Sequence, residues 1–255
     1  AAKLLGLNEE QTITALGIAA TQAAGLKAMF GTMCKPLHAG KAASNGLLAA
    51  RLAKKGFTSR PDAIECAQGF AATQADGFEA RPVQLGHNEK LAVEENLFKY
   101  HASCYLTHAG IDAIKSLRDE NNIKVEQVES VKQFVPKTHF SVCNIAEPST
   151  GLEVKFSMRH TAAMALSHID TGSLTAYDDA IANRVDLVNL RNKVEIIGKN
   201  FDSRMQSEVI INLTDGRSLI KFWDAGIPMN DPSLQEKKLI EKFKSLVGPV
   251  YGLQA

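Results

Sequence analysis

The chain has 255 residues, 45% of them hydrophobic and 22% charged, and no run approaches the roughly 18 to 20 apolar residues of a membrane span. Its 29 Lys and Arg against 28 Asp and Glu leave a formal charge of +1, so no global field favours nucleic acid or anionic lipid as a partner. The four cysteines, at 34, 66, 104 and 143, are too far apart for CxxC motifs and too few for a disulfide scaffold, which points to a reduced, cytoplasmic protein.

The opening Ala1-Ala2-Lys3-Leu4-Leu5 carries no secretion signal and reads as the continuation of a helix begun upstream. Asn8, Glu9, Glu10 and Gln11 form a helix start, and Ile13, Leu16, Ala20 and Ala23 predict a helix over residues 9–25. A loop over 26–40 follows, in which Pro36 pushes Lys35 toward extended geometry. Residues 41–55 read as a helix stopped by Gly56, and Ser59 with Pro61 predicts another over 60–74. From 76 to 90 periodicity disappears.

Beyond Lys99 the pattern mixes helix and strand. A helix is predicted over 107–119 and a strand over 125–135, then helices over 155–169 and 177–190 and a strand over 193–199. Asp215-Gly216 between apolar runs predicts a hairpin. A last amphipathic helix spans 233–246. The fold class is therefore α+β: a partial all-helical domain over 1–98, an α/β lid domain over 99–225, and a segment over 226–255 returning to the helical domain.

Three clusters can carry chemistry. Lys35, His38 and Lys41 place cations just before the helix predicted at 41, where a carboxylate can bind; the same residues also read as solvated lysines and a loop histidine. Lys99, His101, Cys104 and His108 fall within ten residues that include two tyrosines, side chains able to move protons near neutral pH; equally, Cys104 and Tyr105 read as core and Thr107 as a helix cap. Arg159 and His160 open a predicted helix, where a buried or capping histidine is the plain alternative. His87, His139 and His168 stand alone and read as structural. No metal-ligand spacing, P-loop, GxSxG elbow or dinucleotide fingerprint occurs, so no metal or cofactor is expected.

Taken together, Gly17 to Gln22, Met33-Cys34-Lys35-Pro36-Leu37-His38-Ala39-Gly40-Lys41-Ala42-Ala43, Gly46 to Gly56, Lys99 through Ala113, Lys155-Phe156-Ser157-Met158 and Ala162 to Leu166 resemble the MmgE/PrpD family, which includes 2-methylcitrate dehydratase, cis-aconitate decarboxylase and iminodisuccinate epimerase. The likeness runs through nearly the whole chain and resembles the C-terminal portion of a family member. It implies a helical domain and a smaller lid around a metal-free site, a homodimer, and a separate N-terminal segment as a further partner. By resemblance Lys35, Lys99, Cys104 and His108 are catalytic, while His38, Lys41, His101 and His160 bind substrate. Two departures bear on the reaction: Cys104 stands where decarboxylase-like members carry a catalytic histidine, and His160 replaces a frequent tyrosine. The reading is a metal-independent lyase of small polycarboxylates, 2-methylcitrate dehydratase-like. The alternatives are an iminodisuccinate epimerase-like isomerase and a noncatalytic binding or dimerisation module.

Overall fold

The structure is a computed structural model that describes residues 1–78 and 95–252. The chain divides into two compact units, one of residues 1–29 and 33–89, the other of 30–32 and 90–255. About half the chain is helical and one four-stranded mixed sheet is present, so the α+β expectation holds. Among the described residues no helix is long and apolar enough to cross a membrane.

The first unit is helical: α1 (Ala2–Leu5), α2 (Glu9–Ala20), α3 (Cys34–Lys54) and α4 (Phe70–Gln74). Asn8 caps α2 by accepting from the Gln11 amide while the Gln11 side chain accepts from Asn8, a reciprocal capping box. Helices α2 and α3 pack through Ala15, Ile18, Ala49, Ala50 and Ala53. Alanine brings the helices close but buries only about one methyl each, near 0.8 kcal/mol, so this core is modest.

Two expectations for this unit are corrected. Helix α3 starts at Cys34 and not at 41, and it takes in Lys35, Pro36, His38 and Gly40. Pro36 falls in the first turn, where an amide hydrogen has no intrahelical acceptor to lose, so proline is tolerated and Lys35 remains helical. The helix expected over 60–74 shrinks to α4. Ser59, expected as its cap, instead donates its hydroxyl to the Thr14 carbonyl at 2.9 Å. Residues 61–69 form turns, closed by amide bonds from Phe70 to Ala63 O and from Ala71 to Ile64 O, both 2.9 Å.

The second unit holds α5 (His108–Asn121), β1 (Val128–Pro136), α6 (Gly151–Val154), α7 (Met158–Leu166), α8 (Asp179–Ala182), α9 (Val185–Arg191), β2 (Val194–Lys199), β3 (Gln206–Leu213), β4 (Ser218–Asp224) and α10 (Pro232–Tyr251). The sheet order is β2-β1-β3-β4. Strand β1 runs parallel to β2, with Val131 opposite Val194, and antiparallel to β3, with Val131 opposite Ile211. The predicted hairpin is β3–β4, turned at Gly216 with φ of 88°. Val209, Ile211 and Leu213 alternate inward, and α5 lays Ala113, Ile114 and Leu117 over β3 and β4. The helices expected over 155–169 and 177–190 are each shorter or split, because Ser157 caps α7 with a bond to the His160 amide and Asp178 caps α8 with one to Ile181. Helix α10 belongs to the second unit, where Lys242 donates to the Gly172 carbonyl at 2.6 Å.

Candidate active site

The segment from Tyr100 to Asp112 is held in place by its own backbone. Ala102 donates to Thr171 O and Cys104 to Lys155 O, both at 2.8 Å. Ser103 and Thr107 share a hydroxyl contact of 2.8 Å, and Thr107 donates onward to the Cys104 carbonyl. The Tyr105 hydroxyl reaches the Ala225 carbonyl at 2.7 Å. A loop fixed at this many points delivers His101 and His108 in set orientations.

His101 is buried, and both ring nitrogens are engaged. Nε2 lies 3.1 Å from Asp112 Oδ1 and Nδ1 lies 2.7 Å from Thr171 Oγ1. An ionised carboxylate only accepts, so Nε2 carries the hydrogen and the neutral ring accepts at Nδ1 from the threonine hydroxyl. Lys115 Nζ donates to that hydroxyl oxygen at 3.3 Å. The result is a chain from Lys115 through Thr171 and His101 to Asp112.

His108 begins α5, one turn before Asp112. Its ring stands edge-on to His101 with centroids 4.8 Å apart and stacks on Tyr105 at 4.5 Å. It is 2% exposed, yet Nε2 has no hydrogen-bond partner among the described residues. Burial, then the neighbouring His101, lowers its pKa to about 3, with the Lys99 charge adding to the effect. His101 is lowered chiefly by burial. Burial alone raises Asp112, but the His101 hydrogen bond and nearby positive charge bring it below the ordinary carboxylate value. Burial raises Tyr100 and Tyr105, which stay protonated.

His108 and Asp112 border a cavity of about 150 Å³ with Tyr100, Tyr105 and Lys238. A second, of about 460 Å³, is lined by His101, Asp112, Lys115, Lys238 and Lys242. Tyr100, Asp112 and Lys238 belong to both, so the histidine pair sits between a small pocket and a lysine-rich one. Burial lowers both Lys115 and Lys242. A neutral imidazole beside several ammonium groups suits proton transfer on an anionic substrate.

Of the expected site residues, Lys99, His101, Cys104 and His108 share this one segment. Lys99 is exposed and near enough for its charge to bear on His108. Cys104 is half-buried and its thiol meets that of Cys143, which this contact and burial push upward. His160 is fully enclosed on α7, where the charges acting on it come from Arg191 and Arg184. Lys35, His38 and Lys41 lie on α3 of the first unit. Lys41 is exposed, Lys35 and His38 are half-buried, and the His38 ring packs over Gly25, where an added Cβ meets Nδ1 at 3.1 Å. His38 and Lys41 line a cleft of about 450 Å³ with Gln22 and Asn45. His139 is structural as expected, its Nε2 bonded to Arg204 O, and His87 lies outside the described residues.

The sequence gives no site role to Asp112, Lys115, Thr171 or Lys238. The spacing of His108 and Asp112, four apart on a helix, places them on one face and is a usable signal. Nothing local ties Thr171 or Lys238 to that face. Among the described residues no group of three or more His, Cys, Asp or Glu side chains can hold a metal ion.

The sequence matches two family models, the MmgE/PrpD N-terminal domain over residues 1–82 and the MmgE/PrpD C-terminal domain over 101–255. The chain belongs to the MmgE/PrpD family. Among its relatives, cis-aconitate decarboxylase of Aspergillus terreus is 26% identical over 271 residues, covering 97% of this chain and 55% of the relative. The human and mouse enzymes of the same name are also 26% identical, each covering 96% of this chain and 52% of the relative. The chain thus spans about half the length of the curated relatives it matches.

Proposed function

We propose that this MmgE/PrpD protein serves a metal-independent lyase reaction on small polycarboxylates, dehydratase-like as with 2-methylcitrate. The observation that carries the reading is the buried, unpartnered Nε2 of His108 at a cavity wall, beside the Lys115–Thr171–His101–Asp112 chain. Burial keeps His108 neutral at pH 7 and makes it a weak base. A bound polycarboxylate brings negative charge, which favours the imidazolium and strengthens His108 as a proton acceptor.

In this scheme His108 takes the proton from the carbon next to a carboxylate. The electron pair left behind forms the double bond as the C–O bond to the hydroxyl breaks, and that oxygen leaves as water after receiving a proton. Lys99 and Lys238 stabilise the enolate charge that develops on the carboxylate. The protonated Tyr100 hydroxyl on the wall of the same cavity gives the leaving oxygen its proton and recovers one from the His108 imidazolium, while His101, oriented by Asp112, braces the His108 ring.

Decarboxylation of cis-aconitate is the second reading, favoured by the names of the relatives. Cys104, at a position where decarboxylase-like members carry a catalytic histidine, favours dehydration. Incubating the protein, alone and in a chain extended to the length of its relatives, with 2-methylcitrate, cis-aconitate and iminodisuccinate separates these outcomes. Dehydration yields an unsaturated acid and water, decarboxylation yields carbon dioxide, and epimerisation changes only optical rotation. If the extended chain turns over none of them, the lyase reading fails.

A further inference from the structure

Two thiols meet inside the second unit. Cys143 is fully buried in its core, Cys104 is half-buried and packs against that core, and neither is in a disulfide. The Cys104 thiol is the hydrogen-bond partner of the Cys143 thiol, which also lies 3.7 Å from the His139 carbonyl. One short stretch of backbone holds both residues. The Cys104 amide donates to Lys155 O at 2.8 Å, the Cys143 carbonyl accepts from the Met158 amide at 3.2 Å, and Asn144 bridges to Ser157 beside it. The tertiary fold therefore sets the contact between these two residues, which are far apart in the sequence.

A buried cysteine by itself packs as a small apolar residue and is inert. What distinguishes Cys143 is a second, partly exposed thiol in contact with it, the arrangement in which one sulfur is oxidised and the other resolves it. The contact with Cys104, then burial, pushes the Cys143 thiol upward, so Cys143 stays protonated and the more accessible Cys104 meets an oxidant first. The other two cysteines, Cys34 and Cys66, belong to the first unit.

We propose that Cys104 and Cys143 form a reversible oxidation site, at which hydrogen peroxide oxidises Cys104 and Cys143 then closes a disulfide. The Cys104 thiolate attacks one peroxide oxygen, the O–O bond breaks, and the departing hydroxide takes up a proton as water, leaving a sulfenic acid on Cys104. The Cys143 sulfur attacks the Cys104 sulfur, the S–O bond breaks, and the hydroxide released takes the Cys143 proton as a second water. Two thiols and one peroxide thus become one disulfide and two waters, with two electrons passing from sulfur to peroxide. A dithiol reductant reverses the change. The bond ties the segment that carries His101 and His108 to the residues just before Asn144, and its formation does not depend on the reaction proposed above.

The test treats the purified full chain, reduced and freed of reductant, with a small molar excess of hydrogen peroxide, then alkylates it and maps its peptides by mass without reduction. We expect a peptide pair linked through Cys104 and Cys143, loss of two of the four thiols, and return of both with dithiothreitol. Cys143→Ala is expected to halt at the sulfenic acid, trapped by dimedone on Cys104. No linked pair, linkage of other cysteines in its place, linkage only after unfolding in urea, or no dimedone adduct in Cys143→Ala overturns the site. Should Cys143→Ala fail to fold, Cys104→Ala decides. Oxidation of Cys143 slowed at least about 10-fold supports the site, and oxidation at the wild-type rate overturns it.

Discussion

Asp112 Oδ1 accepts from His101 Nε2 across 3.1 Å, so a residue in the second turn of α5 sets the tautomer of a ring eleven positions earlier. The carboxylate also offsets part of the burial that lowers His101. Asp112→Asn keeps the shape but removes the charge. We expect kcat of the extended enzyme to fall about 100-fold with KM little changed, and the melting midpoint to stay within a few degrees. Equal kcat in mutant and wild type separates Asp112 from proton transfer.

Lys99 lowers the His108 pKa through its charge. Lys99→Met therefore raises that pKa and moves the acidic limb of the pH–rate profile upward, while weakening stabilisation of the developing negative charge. Turnover of the extended enzyme is expected to fall at least about 100-fold in Lys99→Met, and in Lys35→Met as well, with the circular dichroism spectrum unchanged. Any residual Lys99→Met activity, measured between pH 5 and 8, reports the shifted limb.

Four enclosed histidines, His101, His108, His139 and His160, tie stability to pH, and two of them do so most strongly. His108 is lowered to about 3 and His160 to about 4, in both cases first by burial. Unfolded histidine titrates near 6.5, so between pH 6.5 and 4 the unfolded chain binds protons that the native chain refuses. Stability is complete above pH 6.5 and falls with acidification, by about 1.4 kcal/mol per pH unit for each ring. Urea titrations at pH 7, 6 and 5 measure the slope. His160→Leu is expected to remove one proton from it, and an unchanged slope contradicts the neutral, enclosed state of the ring.

Gly151 and Gly110 are close approaches of different kinds. An added Cβ at Gly151 overlaps the Tyr177 backbone carbonyl and comes within 2.7 Å of Asp178 Cα; at Gly110 it meets the Gln133 side chain, with Cδ at 2.7 Å. Backbone cannot yield as an amide side chain can. Gly151→Ala is expected to cost about 3 kcal/mol and Gly110→Ala about 1 kcal/mol in urea unfolding. Gln133→Ser is expected to relieve the second mutation and have no bearing on the first.

Legibility followed the range of the interactions. The Asp215-Gly216 turn, the apolar stripe of α5 and the Asn8 capping box depend on neighbours in sequence, and each appears where its pattern places it. The helix expected over 60–74 did not form because the Ser59 hydroxyl goes to Thr14 O, 45 residues away, instead of capping the turn ahead of it. The start of α3 was misplaced for a simpler reason: Pro36 signals extended structure before it only when it stands outside a first turn.

By itself the sequence determined the α+β class, the strand-and-turn order of the second unit, and the segment from Lys99 to His108 as chemically rich, since these depend on composition and short-range periodicity. Only the tertiary structure decided that His101 meets Thr171, 70 residues away, that Lys238 and Lys242 from α10 join the same cavity, and that His160 is enclosed beside Arg191. Those contacts join segments far apart in the sequence that meet when the unit closes its common core, and packing over the whole unit sets them with no trace in any local stretch.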